Sequence, residues 1–221
     1  PCGFGSDALL GEAIAATYGM ISMVDTGVGE LLGRLDSLGI RDNTLVVFTS
    51  DHGDMMGEHG LFLKGFMHYR GTLQVPLLIS VPDQPGGRSQ SLASSIDLGP
   101  TLMDACKIPA YDGIQGRSLM PIVQEAEASV RDYVLIEDDI VLMTAKLTPI
   151  PARTRSLIYG DYRFTRNSKG EEQLFNLRQD PDEMEDLKHT DSARLGVLEV
   201  LSDAMMEADD SSRGAPATES I

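Results

Sequence analysis

The sequence predicts an α/β domain followed by a small antiparallel subdomain, on three observations. Leu45-Val46-Val47-Phe48-Thr49-Ser50 begins with an unbroken apolar, β-branched and aromatic run, the pattern of a strand covered on both faces. The stretch before it, from about Leu9 to Leu38, repeats apolar residues at helical spacing, so helix and strand form one αβ unit. From Ser156 onward the period changes to two, with turn residues between short runs, as in antiparallel strands. The expected organisation is an α/β domain over 1–150, a small antiparallel subdomain over 151–208 and a disordered tail over 209–221.

Residues 1–8 read as a cut loop, and the chain begins with Pro1 rather than Met, so it is expected to be processed, trimmed or a fragment. The helix that follows carries Ile14, Tyr18, Ile21, Val24, Val28, Leu31, Leu35 and Leu38 on its apolar face. Gly39 is its C-cap. Beyond the 45–50 strand, Val75-Pro76-Leu77-Leu78-Ile79-Ser80-Val81-Pro82 is a second buried strand with prolines near both ends. Asp83 to Ser91 is a turn-rich exposed loop. Ser95 to Ala105 starts a helix, with Asp97 as cap and Pro100 in its first turn.

Residues 122–132 are a polar linker or surface helix, and Tyr133-Val134-Leu135-Ile136-Glu137 is a further strand. Glu137-Asp138-Asp139 reads as a solvated acidic turn. Leu157-Ile158-Tyr159, Tyr162 to Thr165 and Gln173 to Leu177 form the small sheet, with hairpin turns at Gly160-Asp161 and Ser168-Lys169-Gly170. A helix near 191–207 carries Leu195, Leu198 and Leu201.

Composition narrows the function. Hydrophobic content of 42% supports a real core, and no run reaches the length of a membrane span. The formal charge of −16 and pI of about 4.5 argue against nucleic acid and anionic membranes as partners. An anionic substrate would then need local positive charge at its site. Two cysteines, Cys2 and Cys106, are too few for a disulfide framework or a Cys-based zinc site, and Cys106 is expected to be a buried thiol.

The chemistry concentrates where the 45–50 strand ends. In open α/β sheets ligands bind just outside the carboxyl ends of strands. There Asp51 and His52 pair a carboxylate oxygen with an imidazole nitrogen, both good metal donors. An Asp-His-Gly in this place could also cap a following helix. Density favours a site: three of the four histidines, His52, His59 and His68, fall here beside Asp51, Asp54 and Glu58. The spacing is not that of the helical His-Glu-x-x-His zinc motif. Gly53, Gly57 and Gly60 allow a tight loop, and Lys64 ends the stretch with a mobile positive charge. His68 and His59 are candidates to touch substrate or move a proton, or to hold structure. Arg70 could meet an anion, and Asp54 and Glu58 read as groups that cap the loop or support the ligands.

These residues, Thr49-Ser50-Asp51-His52-Gly53-Asp54-x-x-Gly57-Glu58-His59-Gly60-Leu61-x-x-Lys64-Gly65 and then Val75-Pro76-Leu77-Leu78-Ile79, resemble the sulfatase family of the alkaline-phosphatase-like superfamily. The resemblance extends to Tyr18 and Asp25 on the first helix, to Ile96-Asp97-x-x-Pro100-Thr101-Leu102 and to Asp112-Gly113-x-x-Gly116-Arg117-Ser118-Leu119-x-Pro121. It continues through Leu174-Phe175-Asn176-Leu177-x-x-Asp180-Pro181-x-Glu183, and it covers only the family's C-terminal half.

It implies an alkaline-phosphatase-like sheet flanked by helices, and metal-dependent hydrolysis of a small-molecule or carbohydrate sulfate ester. It implies Asp51 and His52 as ligands of a divalent cation, Ca²⁺ first, with Mn²⁺ or Mg²⁺ as alternatives. It places Lys64 against the sulfate and leaving-group oxygens. The remaining ligands and a formylglycine nucleophile made from Cys or Ser would lie in a preceding half, because neither Cys2 nor Cys106 stands in a Cys-x-Pro-x-Arg context. A phosphonate monoester or phosphodiester hydrolase shares this scaffold, and a non-catalytic binding or scaffold protein is the alternative outside enzymes. Metal, substrate and compartment stay open at this point.

Overall fold

Helix α1 runs from Asp7 to Ser37, and its end shows why a glycine follows it. Gly39 takes φ +66°, while the Ile40 and Gly39 amides donate to the carbonyls of Leu35 and Asp36. This is the Schellman arrangement, which satisfies carbonyls that the last turn leaves open. The computed structural model describes residues 7–65, 67–139, 153–189, 203 and 205. Contacts divide the chain into two compact units, Pro1–Gly86 and Gly87–Ile221. The boundary expected at 150/151 falls in a stretch outside the described residues.

In the first unit, β1 (Val46–Thr49) is followed by a tight hairpin of β2 (Met55–Met56) and β3 (Phe62–Leu63). A four-residue helix, α2 (Arg70–Leu73), then leads into β4 (Leu77–Ser80). β4 pairs antiparallel with β1, Thr49 opposite Leu77 and Val46 opposite Ser80. The end of β1 that leads to Asp51 therefore lies beside the start of β4. Two expectations are corrected here. Neither strand is buried as expected: in β1 Phe48 is exposed and Val46 and Val47 are half-buried, and in β4 Leu77 and Leu78 are exposed. The expected apolar face of α1 is also largely bare: Tyr18, Ile21, Val24, Leu31 and Leu38 are exposed, whereas Leu10, Ile14, Val28, Leu32 and Leu35 are half-buried. The helix carries apolar residues on more than one side, and only one stripe meets other described residues. Of the described residues in this unit, only Met55, His68 and Thr72 are buried.

The second unit contains α3 (Leu98–Ala105), α4 (Met120–Gln124) and a four-stranded antiparallel sheet in sequential order. Its strands are β5 (Tyr133–Asp139), β6 (Arg153–Tyr159), β7 (Tyr162–Asn167) and β8 (Glu172–Asn176). The turns are those expected, with Gly160 at φ +55° and Gly170 at φ +78°. One face carries the apolar core, Leu157, Phe164 and Leu174 against Leu187 and Met205. The other carries buried polar residues: Ser156 and Thr165 share a hydrogen bond of 2.5 Å, and Arg163 pairs with Glu183 at 2.5 Å.

Asp97 does not cap α3 with its side chain as expected; it reaches back to Ser94, which caps the turn before α3. Fully buried, it accepts from the Ser94 amide at 2.9 Å, the Arg117 amide at 2.8 Å and the Arg131 guanidinium. Thr101 accepts from the Leu119 amide at 2.8 Å, so 94–101 and 116–119 are stitched together. The acidic run 137–139 is not a turn but the end of β5, where Glu137 pairs with Arg155 and Asp139 with Arg153 across the strands. Cys106 is exposed rather than buried, because it follows the last turn of α3. Cys2, the helix expected near 191–207 (apart from 203 and 205) and the tail lie outside the described residues.

Candidate active site

The site is built on the turn that ends β1. Asp51 is solvent-exposed and accepts the His52 amide through Oδ1 at 3.0 Å, while Ser50 Oγ donates to the His52 carbonyl at 2.8 Å. That amide bond, and then the adjacent His52 ring, hold the Asp51 carboxyl below the usual carboxylate range. The His52 ring is fixed at both nitrogens: Nδ1 lies 2.9 Å from the Gly53 carbonyl and Nε2 lies 2.9 Å from Lys64 Nζ. An ammonium only donates, so Nε2 carries the lone pair and Nδ1 the proton.

Lys64 reaches His52 because the β2–β3 hairpin turns back. Gly57 (φ +112°), His59 (φ +54°) and Gly60 (φ +67°) make the reversal, and the Glu58 carboxylate closes it by accepting the Met56 amide at 2.5 Å. The structure thus brings together Asp51, His52 and Lys64, which stand up to thirteen residues apart in sequence.

The other candidates have local partners. His59 stacks face to face on Tyr69, with ring centroids 3.8 Å apart. His68 is 6% exposed, and Arg70 Nε donates to Gln74 at 2.5 Å. The residues that sequence reasoning missed are Thr72 and Gly71, which lie under the turn. Their only local signal was the short Arg70-Gly71-Thr72 segment, too brief to announce a helix.

Asp51 Oδ2 and His52 Nε2 are 3.4 Å apart. Two neighbouring donors on one hard cation, each at about 2.1–2.5 Å, are separated by roughly 3.0–3.5 Å. The pair has the spacing and donor chemistry to grip a divalent ion from one side. Among the described residues, no group of three or more His, Cys, Asp or Glu comes together as a cation site, so this pair supplies two donors.

The profile of the Sulfatase family matches residues 5–108, and that of N-sulphoglucosamine sulphohydrolase, C-terminal, matches residues 57–210. The chain belongs to the sulfatase family. An arylsulfatase of Clostridium perfringens is 33% identical over 189 residues, covering 80% of this chain and 36% of the relative. Among solved structures, the phosphonate monoester hydrolase of Agrobacterium radiobacter superposes with a TM-score of 0.83 at 27% identity, over 94% of this chain and 43% of that one. A protein solved in complex with its substrate D-glucosamine-2-N,6-O-disulfate gives a TM-score of 0.76 at 25% identity, over 90% of this chain and 41% of that one. The fold is therefore that of the alkaline-phosphatase-like sulfatases. This chain spans well under half the length of each of these three. Sulfatase membership suggests a divalent cation and a formylglycine. Among the described residues, no helix is long and apolar enough to cross a membrane.

Proposed function

We propose that this chain is the C-terminal part of a metal-dependent sulfuric ester hydrolase, with Asp51 and His52 as two ligands of the cation and Lys64 as the group facing the ester. The observation that carries the reading is the convergence of these three side chains at the end of β1, with Lys64 Nζ 2.9 Å from His52 Nε2. The cation, Ca²⁺ in first place and Mn²⁺ or Mg²⁺ as alternatives, would supply Lewis acidity to the ester oxygens. Lys64 places its positive charge where negative charge grows on the departing oxygen. Asp51, held ionised, keeps its oxygens available as donors at neutral pH. His68, buried a few residues beyond, is proposed to contact the substrate. The formylglycine nucleophile and the other ligands would come from sequence outside this chain.

A phosphonate monoester hydrolase is the second reading, favoured by the TM-score of 0.83 to such an enzyme. The substrate class proposed is a sulfate ester, a sulfated sugar among the candidates, in keeping with the disulfated glucosamine bound by a similar protein. The test uses a protein that joins this chain to its nucleophile-bearing half. Paired aryl sulfate and aryl phosphonate substrates rank the two readings, and faster sulfate cleavage is expected. Lys64→Ala should lower turnover about 10²- to 10³-fold, the usual effect of losing one donor to a developing oxyanion. Metal content should stay unchanged, since an ammonium is no ligand. Loss of the cation on Lys64→Ala would show a structural lysine instead.

A further inference from the structure

We infer that Thr72 and Gly53 are positioning residues that set the tautomer and aim of the His52 imidazole. This rests on the reading of Asp51 and His52 as the cation's ligands. A metal-bound histidine works through one ring nitrogen, and a hydrogen bond from the other fixes which one it is. Here that bond runs from Nδ1 to the Gly53 carbonyl, at 2.9 Å. Lys64, donating to Nε2 from the opposite side, requires the same tautomer independently.

Gly53 is in turn held by α2. Its amide donates to the Thr72 carbonyl at 2.9 Å. The two backbones approach so closely that a Cβ on Gly53 would stand 2.0 Å from the Gly71 carbonyl oxygen. Only glycine fits that contact. The turn is thus laid directly on the peptide backbone of α2, and α2 needs its own shape to receive it.

Thr72 supplies that shape. It is 6% exposed, and its single hydroxyl proton is shared between the carbonyls of Met67, at 2.8 Å, and Tyr69, at 2.9 Å. Its amide donates to Tyr69 as well, at 3.0 Å. The route is short: the Thr72 hydroxyl closes the 67–73 turn, the Thr72 carbonyl holds the Gly53 amide, and the Gly53 carbonyl holds Nδ1–H. The Nε2 lone pair, which accepts from Lys64 here, lies 3.4 Å from Asp51 Oδ2, and a cation taken up by the pair replaces that ammonium on Nε2. Removing the hydroxyl opens the turn and releases the ring to take the Nε2–H form, which cannot ligate through Nε2.

The experiment uses this chain joined to its nucleophile-bearing half, ¹⁵N-labelled on histidine, and reads the His52 tautomer by long-range imidazole correlations without any metal. The unsubstituted chain is expected to show Nδ1–H, and Thr72→Val a mixture with Nε2–H. Mn²⁺ added to the same samples should broaden the His52 ring signals. The concentration for half-broadening should rise about tenfold or more in Thr72→Val, the scale on which outer partners of a ligand act. Thr72→Ser, which restores the hydroxyl, should return both readouts. An Nε2–H tautomer in the unsubstituted chain overturns the inference with no variant needed, so a Thr72→Val chain that fails to fold does not rescue it. A folded Thr72→Val with unchanged tautomer and Mn²⁺ response within about twofold overturns it too. Thr72 control of the tautomer without any Mn²⁺ broadening would instead uphold the positioning role and remove the cation reading.

Discussion

Asp51 and Asp138 are pushed in opposite directions by their surroundings. Asp51 sits in solvent beside the His52 amide and ring, which favour its charged form. Asp138 is half-buried on β5, so desolvation, and then the charge of Asp139, raise its carboxyl above the usual range. A carboxyl raised in the folded state binds its proton more tightly there than in the unfolded chain. Its favourable contribution is complete below about pH 4 and is lost as pH rises through the raised value. At neutral pH the ionised Asp138 therefore weighs against the folded sheet. Asp138→Asn is expected to stabilise by about 0.5 kcal/mol at pH 7, the scale of substitutions outside the core. The gain should vanish near pH 3. Urea midpoints at the two pH values check it, and an equal gain at both would assign the effect to something other than charge. Single residues were legible where the chemistry is local, as with Gly39 as C-cap or Glu58 closing its loop. Asp97 was only half legible, since its partners Arg117 and Arg131 lie twenty and thirty-four residues away.

Three strands of the small sheet and their turns were read from the sequence, with β6 starting four residues earlier than expected and β5 joining them as a fourth strand. A period of two and a glycine at positive φ in each hairpin are local signals that tertiary packing does not override. The acidic end of β5 was misread for the opposite reason. A run of three acids looks solvated until Arg153 and Arg155 are placed across from it. The periodicity of α1 located the helix but not its covered face, because apolar residues occupy more than one side. The polar face of the sheet carries a further expectation. Arg163 and Glu183 are each about 1% exposed at the side chain, and Arg163 also lies over the Phe175 ring. Removing one partner of a buried pair leaves a charge out of water, at a cost of about 3–5 kcal/mol. Glu183→Ala should lower stability by that amount in urea unfolding, and Glu183→Gln, which keeps a hydrogen-bond acceptor, by less. A loss below about 1 kcal/mol for Glu183→Ala would show that water reaches the guanidinium.

At the scale of the whole molecule, the site was legible as a motif while its completeness was not. Asp51, His52 and Lys64 stand in one short stretch, so a single hairpin suffices to bring Lys64 back to His52. A hard cation at the proposed Asp51–His52 pair would find only these two donors together among the described residues, with four or more positions left to other groups or water. Tyr18, Ile21, Met23, Val24 and Leu31 on α1, with Phe48 and Leu78 on the two-stranded sheet, are apolar residues that the described residues leave exposed. The arylsulfatase relative has nearly two-thirds of its length outside the match, since this chain spans 36% of it. These observations give a direct expectation for the isolated chain. With an aryl sulfate and millimolar Ca²⁺ or Mn²⁺, it should show no turnover above background. Neither cysteine has the Pro and Arg neighbours of a formylglycine precursor, and no Ser-x-Pro-x-Arg replaces them. Joining the chain to a half that carries such a nucleophile and further acidic ligands should restore activity that Lys64→Ala then removes. Multiple turnover by the pure 221-residue chain would require a nucleophile within it. It would overturn both the division of labour proposed for the two halves and the role given to the cation held at Asp51 and His52.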